Sequence, residues 1–138
     1  MIILDTNVIS SLIRDPPEAI VLAWLDRQDQ AELVTTAINV LELRFGILTM
    51  AHGRRRRTLE SALEAVLNED LDGRILSFDD VAAEVTAALE ARRKALGRPF
   101  GTRDAQIAGI AIANGAGICT RNVRHFDDAG APLHNPWG

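Results

Sequence analysis

Three acidic residues of this chain, Asp5, Glu42 and Asp104, stand where surface acids normally do not. Asp5 follows directly on the apolar run Ile2-Ile3-Leu4, which suits a strand buried on both faces of a parallel sheet. Thr6 and Asn7 are turn and cap formers, and a new apolar period then begins with Val8, Ile9 and Leu12. The pattern is strand, polar switch, helix. In open α/β sheets, ligands bind in the crevice beyond the carboxyl ends of the strands. A carboxylate at that point can hold a hard cation or a phosphate-bound metal, and it can equally be a plain N-cap of the helix.

Glu42 lies inside Ile38-Asn39-Val40-Leu41-Glu42-Leu43. A glutamate bordering such a stripe is partly desolvated unless a cation or a donor meets it; otherwise it is an exposed neighbour of Arg44 or His52. Asp104 heads Ile107, Ala108 and Ala111 at helical spacing, in a first turn where the helix dipole alone would favour an anion. Three carboxylates on three buried elements repel one another unless a divalent ion joins them. An ion held in this way can lower the pKa of a bound water and neutralise charge developing on a substrate.

The elements that must position these groups alternate in type. After the first helix, Asp15-Pro16-Pro17 breaks the chain and starts a second helix to about Arg27. Residues 32–35 form a second short strand. Thr36 caps a helix from Ala37 to about His52, whose apolar positions Ile38, Leu41, Phe45 and Leu48 share a face. Gly53 stops it. The run Arg54-Arg55-Arg56-Arg57 opens another helix, with the stripe Leu59, Leu63, Val66 and Leu67. Residues 74–78 form a short strand or connector, and Asp79 or Asp80 caps a helix ending near Leu96-Gly97. Thr102 is expected to cap an alanine- and glycine-rich helix to about Asn114. Ile118-Cys119-Thr120 is a strand with Arg121-Asn122 at its carboxyl end, and a last extended piece lies near Pro132-Leu133. Strands alternating with helices predict an α/β fold: a small central, mostly parallel sheet flanked by helices.

The 138 residues make one domain, with 47% hydrophobic and 25% charged residues, as in ordinary soluble globular proteins. No run approaches the ~20 apolar residues that span a bilayer, and no secretory leader is visible, so no membrane association and a cytoplasmic location are expected. The single Cys119 excludes a disulfide framework and a multi-cysteine metal site. His52, His125 and His134 lack paired ligand spacing, and Trp24 and Trp137 read as packing anchors rather than base-stacking platforms. The net charge of −4 conceals basic clusters at Arg54 to Arg57, at Arg92-Arg93-Lys94 with Arg98, and at Arg121 with Arg124. Four cations at a helix N-terminus oppose its dipole, so a phosphate backbone or an acidic partner would relieve them; a solvated helix start is the plainer reading.

Taken in order, Asp5-Thr6-Asn7, the helix Thr36 to Arg44 with Glu42 inside it, Asp104-Ala105-Gln106-Ile107-Ala108 and Thr120-Arg121-Asn122 resemble the PIN-domain ribonucleases. More closely, they resemble the VapC/FitB-type toxins of bacterial toxin–antitoxin pairs, down to the closing Asn135-Pro136-Trp137. The resemblance implies one PIN-like nuclease domain over 1–138. It implies a catalytic set Asp5, Glu42 and Asp104, with Asp5 and Asp104 holding Mg²⁺ (or Mn²⁺) and Glu42 as a ligand or an orienter of water. Thr6, Asn7, Thr120 and Asn122 would support the first ligands. RNA is the implied substrate; Arg54, Arg55, Arg56 and Arg57 are candidate contacts to it on their charge alone, not on the resemblance. A cognate antitoxin protein, a homodimer, and DNA reached only through the antitoxin complete the implied partners.

Many members carry a fourth acid where this chain has Asn122, so one ligand charge is missing; Asp127 and Asp128 lie nearby in sequence. Two rival classes stay open. One is a protein-binding module with a degenerate metal site, which Asn122 favours. The other is a phosphohydrolase with an Asp nucleophile, which lacks a second aspartate two positions after Asp5.

Overall fold

A computed structural model describes residues 1–138. Five parallel strands form the sheet: β1 (Ile2–Leu4), β2 (Leu33–Thr36), β3 (Ile75–Leu76), β4 (Gly117–Cys119) and β5 (Leu133–His134), in the order β3-β2-β1-β4-β5. The helices are α1 (Thr6–Ile13), α2 (Ala19–Asp26), α3 (Ala37–Leu48), α4 (Arg54–Ala65), α5 (Asp80–Ala95) and α6 (Thr102–Asn114). The chain steps outward from β1 through β2 to β3, then returns to the other side for β4 and β5. The strand order therefore reverses beside β1, and a crevice opens at the carboxyl ends there.

Alternation along the strands divides the core in two. Leu4, Leu33 and Cys119 face one cluster with Val8, Ile9, Val21, Leu25, Leu63 and Leu67, under α1, α2 and α4. Their neighbours Ile3, Val34 and Ile118 face the other, with Ile107, Ala108, Ile110 and Phe126, under α5 and α6. Truncating any of the fully buried Leu or Ile side chains to Ala should cost about 2–5 kcal/mol. α5 and α6 pack closely because Gly109 has no Cβ: one added there would lie 2.9 Å from the Ala82 carbonyl oxygen and overlap Thr86.

Several details differ from the sequence reading. α3 ends at Leu48, short of His52, and turns its other side inward. Ile38, Asn39, Leu43 and Ile47 are buried, whereas Leu41, Phe45 and Leu48 are 47%, 59% and 61% exposed. The segment is apolar nearly all round, so period 3.6 alone cannot choose its core face. Thr102 does not cap α6; it is the first helical residue, with Gly101 at the N-cap and no side-chain bond there. Thr36 does cap α3, accepting from Asn39 N, and Asp79 caps α5, accepting from Ala82 N. α4 continues into a single π-type turn, Val66–Asp70.

Candidate active site

The register of the sheet places the first site residues. Leu4 pairs with Cys119, and Asp5 N donates to the Cys119 carbonyl at 2.9 Å, so Asp5 and Thr120 emerge side by side past β1 and β4. Asp5 is 5% exposed and is held by neutral donors alone. Thr6 N (2.9 Å) and Asn39 Nδ2 (2.8 Å) donate to its Oδ1. The Thr120 hydroxyl (2.8 Å) and Asn7 Nδ2 (3.4 Å) donate to its Oδ2. A carboxylate offers about four lone-pair sites, and all four have a donor here.

Asn39, fully buried on α3, is the hub of this floor. It bridges Asp5 to Thr6, donating also to Thr6 Oγ1 at 3.1 Å, while its own Oδ1 accepts from the Thr36 hydroxyl at 2.6 Å. The Thr6 hydroxyl donates onward to Glu42 Oε1 at 2.7 Å. Asn7 Oδ1 accepts from Arg121 N at 3.0 Å, and Asn122 N donates to Thr120 Oγ1 at 3.0 Å. Thr6, Asn7 and Thr120 thus join the network through their side chains and Asn122 through its backbone. No buried side-chain polar atom of the chain lacks a partner.

The rim is built differently. Glu42 (α3) and Asp104 (first turn of α6) are half-buried, and with Asp5 they line one cavity of about 630 Å³. Burial raises the Glu42 carboxyl above its ordinary range; the Thr6 hydroxyl opposes this, the charge of Asp5 adds to it, and Arg103, 4.0 Å away, pulls back. Burial raises Asp104 as well, with the Asp5 charge adding and the His125 ring opposing. His125 Nδ1 lies 2.9 Å from Asp104 Oδ2. Beneath the floor, burial and Asp5 push the Cys119 thiol up to about 12, which leaves it unreactive.

His125 was missed from sequence because its partner is set by a clamp on another element. Arg93 of α5 is 6% exposed; it donates to the His125 carbonyl at 3.0 Å, pairs with Asp128 and stacks on Phe100. Arg93 is therefore structural, not part of a basic surface patch. Asp128, held low by Arg93, and Asp127, 3.8 Å from Arg98, lie outside the cavity and replace no acid at Asn122. Asn39 had a legible signal, an amide inside an apolar run. Trp137 is a packing anchor that also reaches the cavity wall, together with Arg14, Glu18, Arg121 and Asn122.

The arginine run divides. Arg54 and Arg55 line a cleft with Arg14 and Ile13, and Arg55 also borders a groove running to Thr6 and Glu42. Arg56 turns away to Glu60 and the Met50 carbonyl. Arg57 is exposed and borders neither the cleft nor the groove.

Carboxylate, hydroxyl and amide oxygens around one cavity are the donors that a hard divalent ion takes, so the residues present suit Mg²⁺ in kind. As placed, no three His, Cys, Asp or Glu side chains gather closely enough to hold an ion. An ion in this cavity would therefore be reached by these carboxylates at least partly through bound water, as Mg²⁺ commonly is.

A parallel β3-β2-β1-β4-β5 sheet with acids meeting beyond β1 defines the class. The PIN domain model matches residues 2–131, and the chain belongs to this family. Within it, the chain is 43% identical over 137 residues to VapC ribonuclease Y4jK of Sinorhizobium fredii, covering 99% of this chain and 98% of that one. It is 44% identical to plasmid stability protein StbB of Pseudomonas syringae pv. tomato, covering 99% of both. A chain in the structure of FitAB bound to IR36 DNA fragment superimposes with a TM-score of 0.90 at 33% identity, over 100% of this chain and 96% of that one.

Proposed function

We propose that this protein is a metal-dependent endoribonuclease acting in the cytoplasm as the toxin of a toxin–antitoxin pair. The observation that carries the reading is the convergence of Asp5, Glu42 and Asp104, from three separate elements, on one cavity where burial and the nearby Asp5 charge raise the Glu42 and Asp104 carboxyls. Likeness to a VapC ribonuclease supports the reaction, and likeness to FitAB supports an antitoxin partner that mediates DNA contact.

Asp5 and Asp104 would hold Mg²⁺ or Mn²⁺, with Glu42 a third ligand or the group that orients water. The bound ion would activate water and offset charge developing on the phosphate. Asn39 and Thr120 fix Asp5, Thr6 holds Glu42 through its hydroxyl, and His125 fixes Asp104. Arg55, on the groove leading from Glu42, and Arg54, in the adjoining cleft beside Arg14, suit the phosphates of the RNA strand better than Arg56. The exposed Leu41, Phe45 and Leu48 of α3 suit a second copy of the chain in a homodimer. Purified protein should cleave RNA only with Mg²⁺ or Mn²⁺. Undiminished cleavage by Asp5→Asn and Asp104→Asn would overturn the assignment.

A second reading has one feature in its favour. The side chain at Asn122 is neutral, so the centre has one charge fewer than many family members. A degenerate module acting through its complexes would bind an antitoxin tightly and cut no RNA under any metal.

A further inference from the structure

Trp137 is the one hydrophobic side chain lining the acidic cavity. The turn after β5 delivers it, with Trp137 N bonded to Asn135 Oδ1 at 3.0 Å. Its indole N–H donates to Glu18 Oε2 at 2.7 Å, and Glu18 is in turn held by Arg14 at 3.1 Å, so the ring orientation is fixed from two sides. Part of the ring packs on the core, while the Arg121 guanidinium lies over its face, 5.0 Å from the centroid. That guanidinium makes no hydrogen bond or ion pair: only the backbone N–H of Arg121 is hydrogen-bonded, to Asn7.

We propose that the face of Trp137, with Arg121 above it, is a nucleobase subsite that stacks one base of the RNA strand at the wall of the acidic cavity. This rests on the nuclease reading above. A phosphate or an ion gains little from an indole face, whereas every base has a π-surface that matches one. A planar guanidinium stacks on aromatic faces and also neutralises a phosphate, so Arg121 can pass from the indole to an incoming nucleotide without losing an ion pair. The volume of the cavity is that of sites enclosing a small organic ligand.

The chain has two tryptophans, so Trp24→Phe leaves Trp137 as the sole indole fluorophore. This variant is titrated, in EDTA, with a single-stranded RNA hexamer and with an abasic ribose-phosphate strand of equal length. The hexamer is expected to quench the emission and the abasic strand to leave it unchanged. Trp137→Leu is expected to bind the hexamer about tenfold more weakly, with Trp137→Phe recovering most of the loss. Equal quenching by both strands, quenching by neither, or unaltered affinity in Trp137→Leu overturns the subsite. The Trp24→Phe titration leaves Trp137 intact, so it decides the matter even where Trp137→Leu fails to fold. A protein that cuts RNA without base-dependent quenching keeps the nuclease and loses the subsite; base-dependent quenching without cleavage under any metal does the reverse.

Discussion

Asp5, on the floor of the acidic cavity, has four neutral donors around its two oxygens, whereas Glu42 and Asp104, on the rim, are partly desolvated and face the charge of Asp5. The floor is built from strand ends and the buried Asn39, whose positions are fixed by sheet register and packing. The rim is built from side chains that face solvent on one side and have few donors. Fixed groups of this kind preorganise a site, and groups whose charge is unsatisfied supply the attraction for a cation. The proposed metal centre thus separates placement from affinity between two sets of residues.

The sharpest way to break this division is to remove charge from each half and read both activity and stability. Asp5→Asn and Asp104→Asn should each lower RNA cleavage by several kcal/mol, roughly a hundredfold or more in rate. Their stabilities should part. In Asp5→Asn the new NH₂ group faces donors where an acceptor stood, which should cost about 1–3 kcal/mol in urea denaturation. Asp104→Asn and Glu42→Gln relieve repulsion and should unfold at the same or higher urea concentration. Equal losses in all three variants would erase the distinction.

How much of this was readable in advance depends on the residue. The strand before Asp5, the Thr36 cap and the arrival of Asn122 at the carboxyl end follow from local chemistry, because apolar runs and cap formers act within a few residues. The core face of α3 was misread because Ile38, Val40, Leu41, Leu43, Phe45, Ile47 and Leu48 surround the helix, and only packing on the sheet selects among them. The pairing of His125 with Asp104 depends on Arg93, 32 positions earlier, holding the His125 carbonyl, a contact with no local signature. The participation of Trp137 needs the chain end to fold back onto Glu18, far away in sequence.

The depth of the rim also depends on how closely α6 approaches α5. Gly109→Ala forces these helices apart at Thr86 and Ala82, and an overpacking cost of about 1–3 kcal/mol is expected, with cleavage reduced as Asp104 shifts. Full activity at unchanged stability would show that helix packing does not place the rim.

A smaller effect appears with pH. Glu42 and Asp104 titrate above their ordinary values of 4.5 and 3.8 in the folded chain, so there the native state binds protons that the unfolded chain has released. Their contribution to stability is complete below those ordinary values and is lost as pH rises through the raised ones. The metal-free protein should therefore lose a modest amount of stability across that window, measurable by thermal melts at constant ionic strength. The loss should vanish in the Glu42→Gln, Asp104→Asn double variant.

Calorimetric titration of Mg²⁺ or Mn²⁺ into the metal-free protein, at a pH where both rim carboxyls are ionised, tests the shared ion most directly. Binding should be clear in the wild type, nearly absent in Asp5→Asn and in Asp104→Asn, and accompanied by a rise in melting temperature. Wild-type affinity in either variant, or RNA cleavage that persists in EDTA, would contradict a centre in which three acids converge on one cation.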